Sequence, residues 1–196
     1  MRSFGTLGII VAVLAVLLIA GCGSYNGFVT AEEDVEKSWS MVETQYQRRS
    51  DLINNLVNTV KGAADFERET LESVTRARAQ ATAININAGE LTPEKLEQFQ
   101  AAQDQLSAGL GRLLATAENY PQLTATRGFQ DLQVQLEGTE NRIATARDRF
   151  NEQATAFNKK VRRFPGAIFA TVFGFDEKPQ FQSQAGAENA PEVNFD

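Results

Sequence analysis

Three long stretches of the chain place their apolar residues at alternating steps of three and four. The first comprises Val35, Trp39, Val42, Tyr46, Arg49, Ile53, Leu56, Val60 and Ala63, with a weaker continuation through Glu67, Thr70, Val74, Ala77, Ala81 and Ile84. The second comprises Leu96, Phe99, Gln103, Leu106, Leu110, Leu113, Ala117 and Tyr120. The third comprises Phe129, Leu132, Leu136, Thr139, Ile143, Ala146, Phe150, Gln153, Phe157, Val161 and Phe164. This heptad spacing predicts long helices whose apolar seams pack on one another.

Glycine and proline residues indicate where these helices end. Gly89 is a helix stop, and Thr92-Pro93-Glu94 supplies a cap, a first-turn proline and a first-turn acid for the next helix. Pro121 marks a further boundary. A break near Gly62 is left open, because one glycine costs only about 1 kcal/mol within a helix. The pattern predicts an all-α fold, an elongated antiparallel bundle of three to four long helices with coiled-coil-like seams.

The amino-terminal segment has the features of a secretory signal. Arg2 precedes a stretch from Leu7 to Gly21 that carries no charge. A membrane span needs about 20 apolar residues, so this stretch is slightly short unless residues 4–6 are included. Residues 1–21 are therefore predicted to be a lipoprotein-type signal peptide or a signal anchor, followed by a membrane-proximal linker over residues 22–29.

The single cysteine follows this stretch directly. Ile19-Ala20-Gly21-Cys22 resembles the bacterial lipobox, in which the cysteine sulfur receives a diacylglycerol group and the signal is cut before it. Two or three acyl chains anchor a protein firmly, whereas one chain is marginal. The resemblance favours Cys22 as a lipidation site. In the other interpretation, the signal is an uncleaved anchor and Cys22 has no role.

Charges around the apolar stretch predict its orientation. Arg2 lies before it, while several acidic residues follow soon after, beginning at Glu32. Positive charge stays on the cytoplasmic side and acidic residues contribute little, so the remainder of the chain is expected on the exported, extracytoplasmic face of the membrane.

The chain changes character after Phe164. Residues 164–175 are almost wholly apolar, and a polar segment follows. We interpret the apolar piece as a short helix that closes the bundle, which then spans residues 30–175; contact with lipid or a partner is the second interpretation. Residues 176–196 are predicted to be a disordered polar tail.

Composition narrows the chemistry available to the protein. The 196 residues include no histidine and one cysteine, and the net charge is −6. An internal disulfide and a thiolate zinc site are excluded, and nucleic acid is not an expected partner, because that affinity comes largely from clustered Lys and Arg. No nucleophile and base arrangement is evident, so no catalytic, cofactor or metal residue is predicted.

Two charged residues occupy seam positions that should be apolar, namely Arg49 and Glu67. A buried charge must be paired, because removing one partner of a buried pair costs about 3 to 5 kcal/mol. Antiparallel pairing of the first and last long helices is expected to bring Arg49 near Asp148 or Glu152. We expect these polar seam residues to fix helix register, with recognition or gating as the functional alternative.

Several blocks together resemble the LemA family of bacterial membrane-associated proteins. The carriers are Tyr25-Asn26, Trp39 with Tyr46, "RRSDLINNLVNTVKG", Phe66-Glu67 before "ARA", "ENYPQL", "FQDLQVQLEGTENRIATARDRFNE" and "FNKKVRRFPGAIFATVFGF". The chain departs from the family at Asn54, where proline is usual, at Ala63, where tyrosine is usual, and at Phe66, where histidine is usual. The resemblance implies a helical-bundle domain at a bacterial membrane and no established reaction.

Two functional hypotheses follow. The first is a membrane-anchored, nonenzymatic interaction or scaffold protein of the cell envelope that binds an unknown protein partner through its helix faces or the tail. It has no cofactor, and homo-oligomerisation is a further option. The second is an enzyme that uses carboxylates or a metal within the bundle.

Overall fold

The structure, a computed structural model, describes residues 2–62 and 66–182, with side chains from Gly8 onward except at Leu17. Its six α-helices within these ranges are α1 (Arg2–Lys61), α2 (Arg68–Ala83), α3 (Pro93–Ala117), α4 (Pro121–Thr124), α5 (Arg127–Arg162) and α6 (Gly166–Phe173). A 3-10 turn, Ala88–Glu90, lies before α3. Residues 2–62 and 66–182 contain no strand. The predicted all-α class is confirmed.

The two longest helices, α1 and α5, lie antiparallel. The ring of Trp39 in α1 is 5.4 Å from that of Phe150 in α5 and equally far from that of Phe99 in α3. The Trp39 indole N–H donates to the carbonyl of Ile86, at 2.9 Å, and thereby ties α1 to the connection before α3. Aromatic side chains from three helices therefore pack together in the core of one half of the bundle, around Trp39.

A second core cluster fills the other half of the bundle, where α2 and α3 pack on each other and on α1 and α5. The side chains of α1 that are fully buried in this cluster include Ile53, Leu56 and Val60, which the seam pattern places on one face. The described seam residues from Val35 to Val60 are all buried in α1. The periodicity therefore identifies which residues of α1 face the core, over the part of the helix that belongs to the bundle.

The first long helix ends at Lys61. The helix therefore does break beside Gly62, the position at which the sequence pattern alone did not decide between a continuous helix and a break. The guanidinium of Arg78 in α2 donates to the carbonyl of Ser50 in α1, at 3.0 Å, so α2 runs back along α1. The weaker seam continues within α2, where Thr70, Val74 and Ala81 are buried. Ala63, the last position of the first seam, lies outside the described residues.

Two predicted boundaries are wrong. Residues 22–29 are not a linker, because α1 runs through them without interruption. Phe28 is buried there, and such packing offsets the helix cost of nearby glycines. The polar segment does not begin as a disordered tail either, since Phe181 packs against Trp39 and Phe150. Residues 183–196 lie outside the described residues.

One predicted core residue is at the surface. The side chain of Phe164 is 83% exposed, although its spacing continues the third seam. The reason is that α5 ends at Arg162, so the chain has left the helical path before Phe164.

Candidate functional site

A buried arginine joins three helices at the middle of the bundle. Arg49 of α1 is 2% exposed, and its Nη1 donates to the Ser107 hydroxyl of α3 at 3.0 Å and to the Glu140 carboxylate of α5 at 3.2 Å. Its Nη2 donates to the side-chain and backbone oxygens of Gln103, at 2.5 and 3.3 Å. The ring of Tyr46 lies 5.0 Å from the guanidinium. Arg49 therefore sets the relative positions of α1, α3 and α5 through the fork geometry of its side chain.

The predicted ion-pair partners of Arg49 are wrong. The acid that it contacts is Glu140, two to three helical turns away from Asp148 and Glu152. The register differs because the packing of α5 on α1 already begins near Gly27, whose carbonyl accepts from the Lys160 ammonium at 3.1 Å.

Glu67 does not form a second buried charge. It is exposed at the position that precedes α2, and its carboxylate accepts from the Thr70 hydroxyl at 2.9 Å. A carboxylate at a helix amino terminus is favourable because it faces the positive end of the helix dipole. The next position of this seam, Thr70, is buried instead.

A groove of about 440 Å³ lies beside the arginine, lined by Tyr46, Ser50, Phe99 and Gln103 among others. The Ser50 hydroxyl is buried and has no hydrogen-bond partner among the described residues. Burial raises the pKa of the Tyr46 hydroxyl, against the opposing effect of the Arg147 and Arg49 charges, so this phenol stays protonated at neutral pH.

A carboxylate lies at the rim of the same groove. Burial raises the pKa of Glu43 above its ordinary value. One carboxylate beside a protonated phenol provides hydrogen-bonding groups but no activated nucleophile. The described residues contain no group of three or more acidic or cysteine side chains placed to hold a metal ion.

The amino-terminal third of α1 has an apolar surface with almost no contacts. Its large apolar side chains that the structure describes are 53 to 74% exposed, namely Ile9, Ile10, Val11, Val13, Leu14, Val16, Leu18 and Ile19. By length and composition this part of α1 could cross a membrane, and a signal sequence has the same properties. Cys22 follows it and is an exposed free thiol.

A second apolar element lies against the end of this stretch. Helix α6 packs on α1 and α5, and a Cβ atom at Gly21 would lie 3.3 Å from the ring of Phe169. The rings of Tyr25 and Phe173 meet edge to face at 5.2 Å. The sequence therefore correctly predicts a short helix that closes this end of the bundle.

Residues 176–182, here named the C-terminal strap, lie along α5. Asn158 exchanges two hydrogen bonds of 2.8 Å with the backbone of Lys178, and Asn151 exchanges two with the backbone of Phe181. The Lys178 ammonium reaches Glu32 of α1 at 2.5 Å. The sequence signal that could have revealed the strap is a pair of asparagines one heptad apart, followed by a lone phenylalanine in a polar segment.

Comparison with known proteins places this architecture in a family. The sequence profile of the LemA family matches residues 38–195. Magnetosome protein MamQ 2 of Paramagnetospirillum magneticum is 28% identical over 91% of this chain and 71% of its own length. MamQ of Magnetospirillum gryphiswaldense is 26% identical over 84% of this chain and 66% of its own length.

A further relative carries the family's name. Protein LemA of Metamycoplasma hominis is 24% identical over 72% of this chain and 61% of its own length. The family profile includes most of the bundle, with Arg49 and its partners, and also the strap. The chain therefore belongs to the LemA family.

Proposed function

We propose that this protein is a membrane-anchored, nonenzymatic member of the cell envelope that presents its helical bundle to a protein partner. The observation that supports this most is the continuity of α1, which passes from an exposed apolar third directly into the bundle core. A helix of 40 residues beyond Gly21 extends about 60 Å. The anchor and the binding body are thus one rigid element in the unprocessed chain.

Attachment through Cys22 is part of the proposal. The thiol is exposed at the end of the apolar stretch, where the lipobox pattern ends. Lipidation after cleavage would replace the apolar helix by acyl chains at the same level of α1. Either form of attachment therefore holds the bundle at the same distance from the membrane surface.

The bundle is proposed to lie on the exported side. Arg2 is the only charged residue before the apolar stretch, and positive charge is retained in the cytoplasm. The test is protease treatment of intact spheroplasts, which should degrade the bundle. A bundle that is degraded only after lysis would contradict this orientation.

The nonenzymatic role rests on the polar side chains of the bundle. The Arg49 cluster joins helices, and its Glu140 carboxylate is paired by that contact. The groove beside it offers a phenol, a hydroxyl, amides and the single carboxylate of Glu43. These groups suit structural contacts and recognition. Metal analysis of the purified full-length protein tests the enzymatic alternative, because a stoichiometric metal would favour it.

The anchoring test uses a matched pair of substitutions. Leu14→Arg places a charge within the exposed apolar stretch, and Val134→Arg makes the same kind of change at an exposed position of α5. An arginine at the centre of a span costs about 2.5 to 3.5 kcal/mol on insertion scales. Leu14→Arg should remove the protein from carbonate-washed membranes, while Val134→Arg should leave it there. Equal membrane retention of both variants would contradict a need for this stretch in membrane attachment, whether it acts as an anchor or as the signal that precedes lipidation.

A further inference from the structure

We infer that α6 is an interfacial helix that lies on the outer surface of the bilayer beside the anchor, with anionic phospholipid as its partner. This inference rests on the proposed membrane anchoring and extends it. It adds a second membrane contact, made by the carboxyl-terminal part of the bundle. This contact would set the orientation of the bundle relative to the membrane.

Helix α6 has two apolar faces, and the bundle covers only one. Phe169 and Phe173 point to α1, and Ala170 is buried. Ile168 and Val172, one helical turn apart, are 56% and 71% exposed on the other face. A helix that is apolar on all sides is normally surrounded by protein or lipid.

The position of α6 along α1 points to lipid as the covering partner. Its contacts with α1 fall at Gly21 and Tyr25, where the exposed apolar stretch ends. The 22 residues from Phe4 to Tyr25 extend about 33 Å, close to the thickness of the hydrocarbon core. A spanning anchor and a lipidated Cys22 both place this level at the membrane surface, so the uncovered face of α6 meets the boundary of the acyl chains.

Charges beside α6 favour an anionic surface. Lys159, Lys160, Arg162 and Arg163 end α5, directly before α6. Arg162 pairs with Glu177, and the Lys160 ammonium binds a backbone carbonyl, whereas Lys159 and Arg163 make no ion pair among the described residues. The other exposed acids at this end include Asp176, and Glu33 and Asp34 of α1, which lie about two helical turns beyond Gly27. Basic side chains next to an apolar helix face are typical of helices that lie on anionic membranes.

A tryptophan placed on the uncovered face tests the inference. The full-length Val172→Trp protein is reconstituted in phosphatidylglycerol-containing vesicles with lipids brominated near the top of the acyl chains. Val134→Trp is the control, because it adds a tryptophan at an exposed position of α5 in the distal half. The native Trp39 is buried and gives the background signal. Vesicle flotation of each sample reports anchoring separately.

The expected result is that bromolipid quenches about half of the fluorescence added by Val172→Trp and almost none of that added by Val134→Trp, because interfacial helices sit about 5 to 10 Å into the boundary. Protein that floats with vesicles but shows equal quenching at both positions would overturn the inference and leave the anchor intact. Protein that does not float would overturn both. If bromolipid quenches Val172→Trp in purely zwitterionic vesicles as strongly as in vesicles that contain phosphatidylglycerol, the role of the basic residues is overturned.

Discussion

Asn158 binds both backbone groups of Lys178, accepting from its N–H and donating to its carbonyl, each at 2.8 Å. Asn151, seven residues earlier, does the same for Phe181, three residues later. Seven helical residues extend about 10.5 Å, and three extended residues about 10 Å. The matching spacing holds the strap nearly extended and antiparallel to α5.

Replacing Asn158 should release this strap. We expect Asn158→Ala to lower the free energy of unfolding by about 1 to 3 kcal/mol, because the two backbone groups of Lys178 lose their partner. Urea unfolding in detergent measures the change, and hydrogen exchange should accelerate over residues 176–182. Asn141→Ala, at an exposed position of the same helix, is the control. Equal stability of the two variants would show that the Asn158 hydrogen bonds contribute nothing to stability.

Phe181 should be the strap's main contribution to the core. Its ring packs against the rings of Trp39 and Phe150, so we expect Phe181→Ala to destabilise the bundle by about 3 kcal/mol. Phe164→Ala removes the same atoms from an exposed position and should cost less than about 0.5 kcal/mol. Thermal unfolding of both variants measures the difference, and a larger loss at Phe164 would contradict the structure.

Arg49 should resist even a conservative exchange. A lysine cannot donate to Gln103, Ser107 and Glu140 in the same fork geometry, so we expect Arg49→Lys to cost about 2 kcal/mol; the partial exposure of Glu140 moderates the loss. Arg48→Lys, at the exposed neighbouring position, should be nearly neutral. Urea unfolding compares them. Equal midpoints would argue against Arg49 as the residue that fixes register.

The contribution of Glu43 to the free energy of unfolding should depend on pH. Because burial raises its pKa in the folded state, the folded protein holds this proton more tightly than the unfolded chain, and stability falls as pH rises through that folded pKa. Glu43→Gln should therefore slightly raise Tm at pH 7, and this gain should shrink as pH falls and the native carboxyl becomes protonated. Glu36→Gln, at an exposed position of α1, is the matched control. A gain that grows toward acid pH would contradict the assignment.

The heptad pattern predicts the inward faces of the helices but not their register. Apolar spacing identifies Trp39 and Phe150 as facing residues, since burying an apolar seam requires a partner. It does not determine how far α5 slides along α1, so the partner of Arg49 was placed two to three turns away from Glu140. Register depends on packing at the bundle end, where Lys160 meets Gly27.

Two local features were not predictable from periodicity. The strap has no apolar repeat, because Asn151 and Asn158 hold it mainly through its backbone, whose hydrogen bonds are independent of side-chain type. The glycines and serine of residues 22–29 are typical of a linker, yet packing against α5 and α6 keeps them helical. Tertiary contacts outweigh local preference at both places.

The intact mass of the full-length protein, extracted from the membranes of a bacterial host with and without Cys22→Ala, tests membrane attachment most directly. We predict a mass that begins at Cys22 and includes acyl chains, and that is lost in the variant. A membrane-bound protein whose mass corresponds to the unprocessed chain from Met1 would show that a spanning helix, and not a lipid on Cys22, anchors the protein. A soluble, unacylated protein that lacks the apolar stretch would contradict membrane attachment itself.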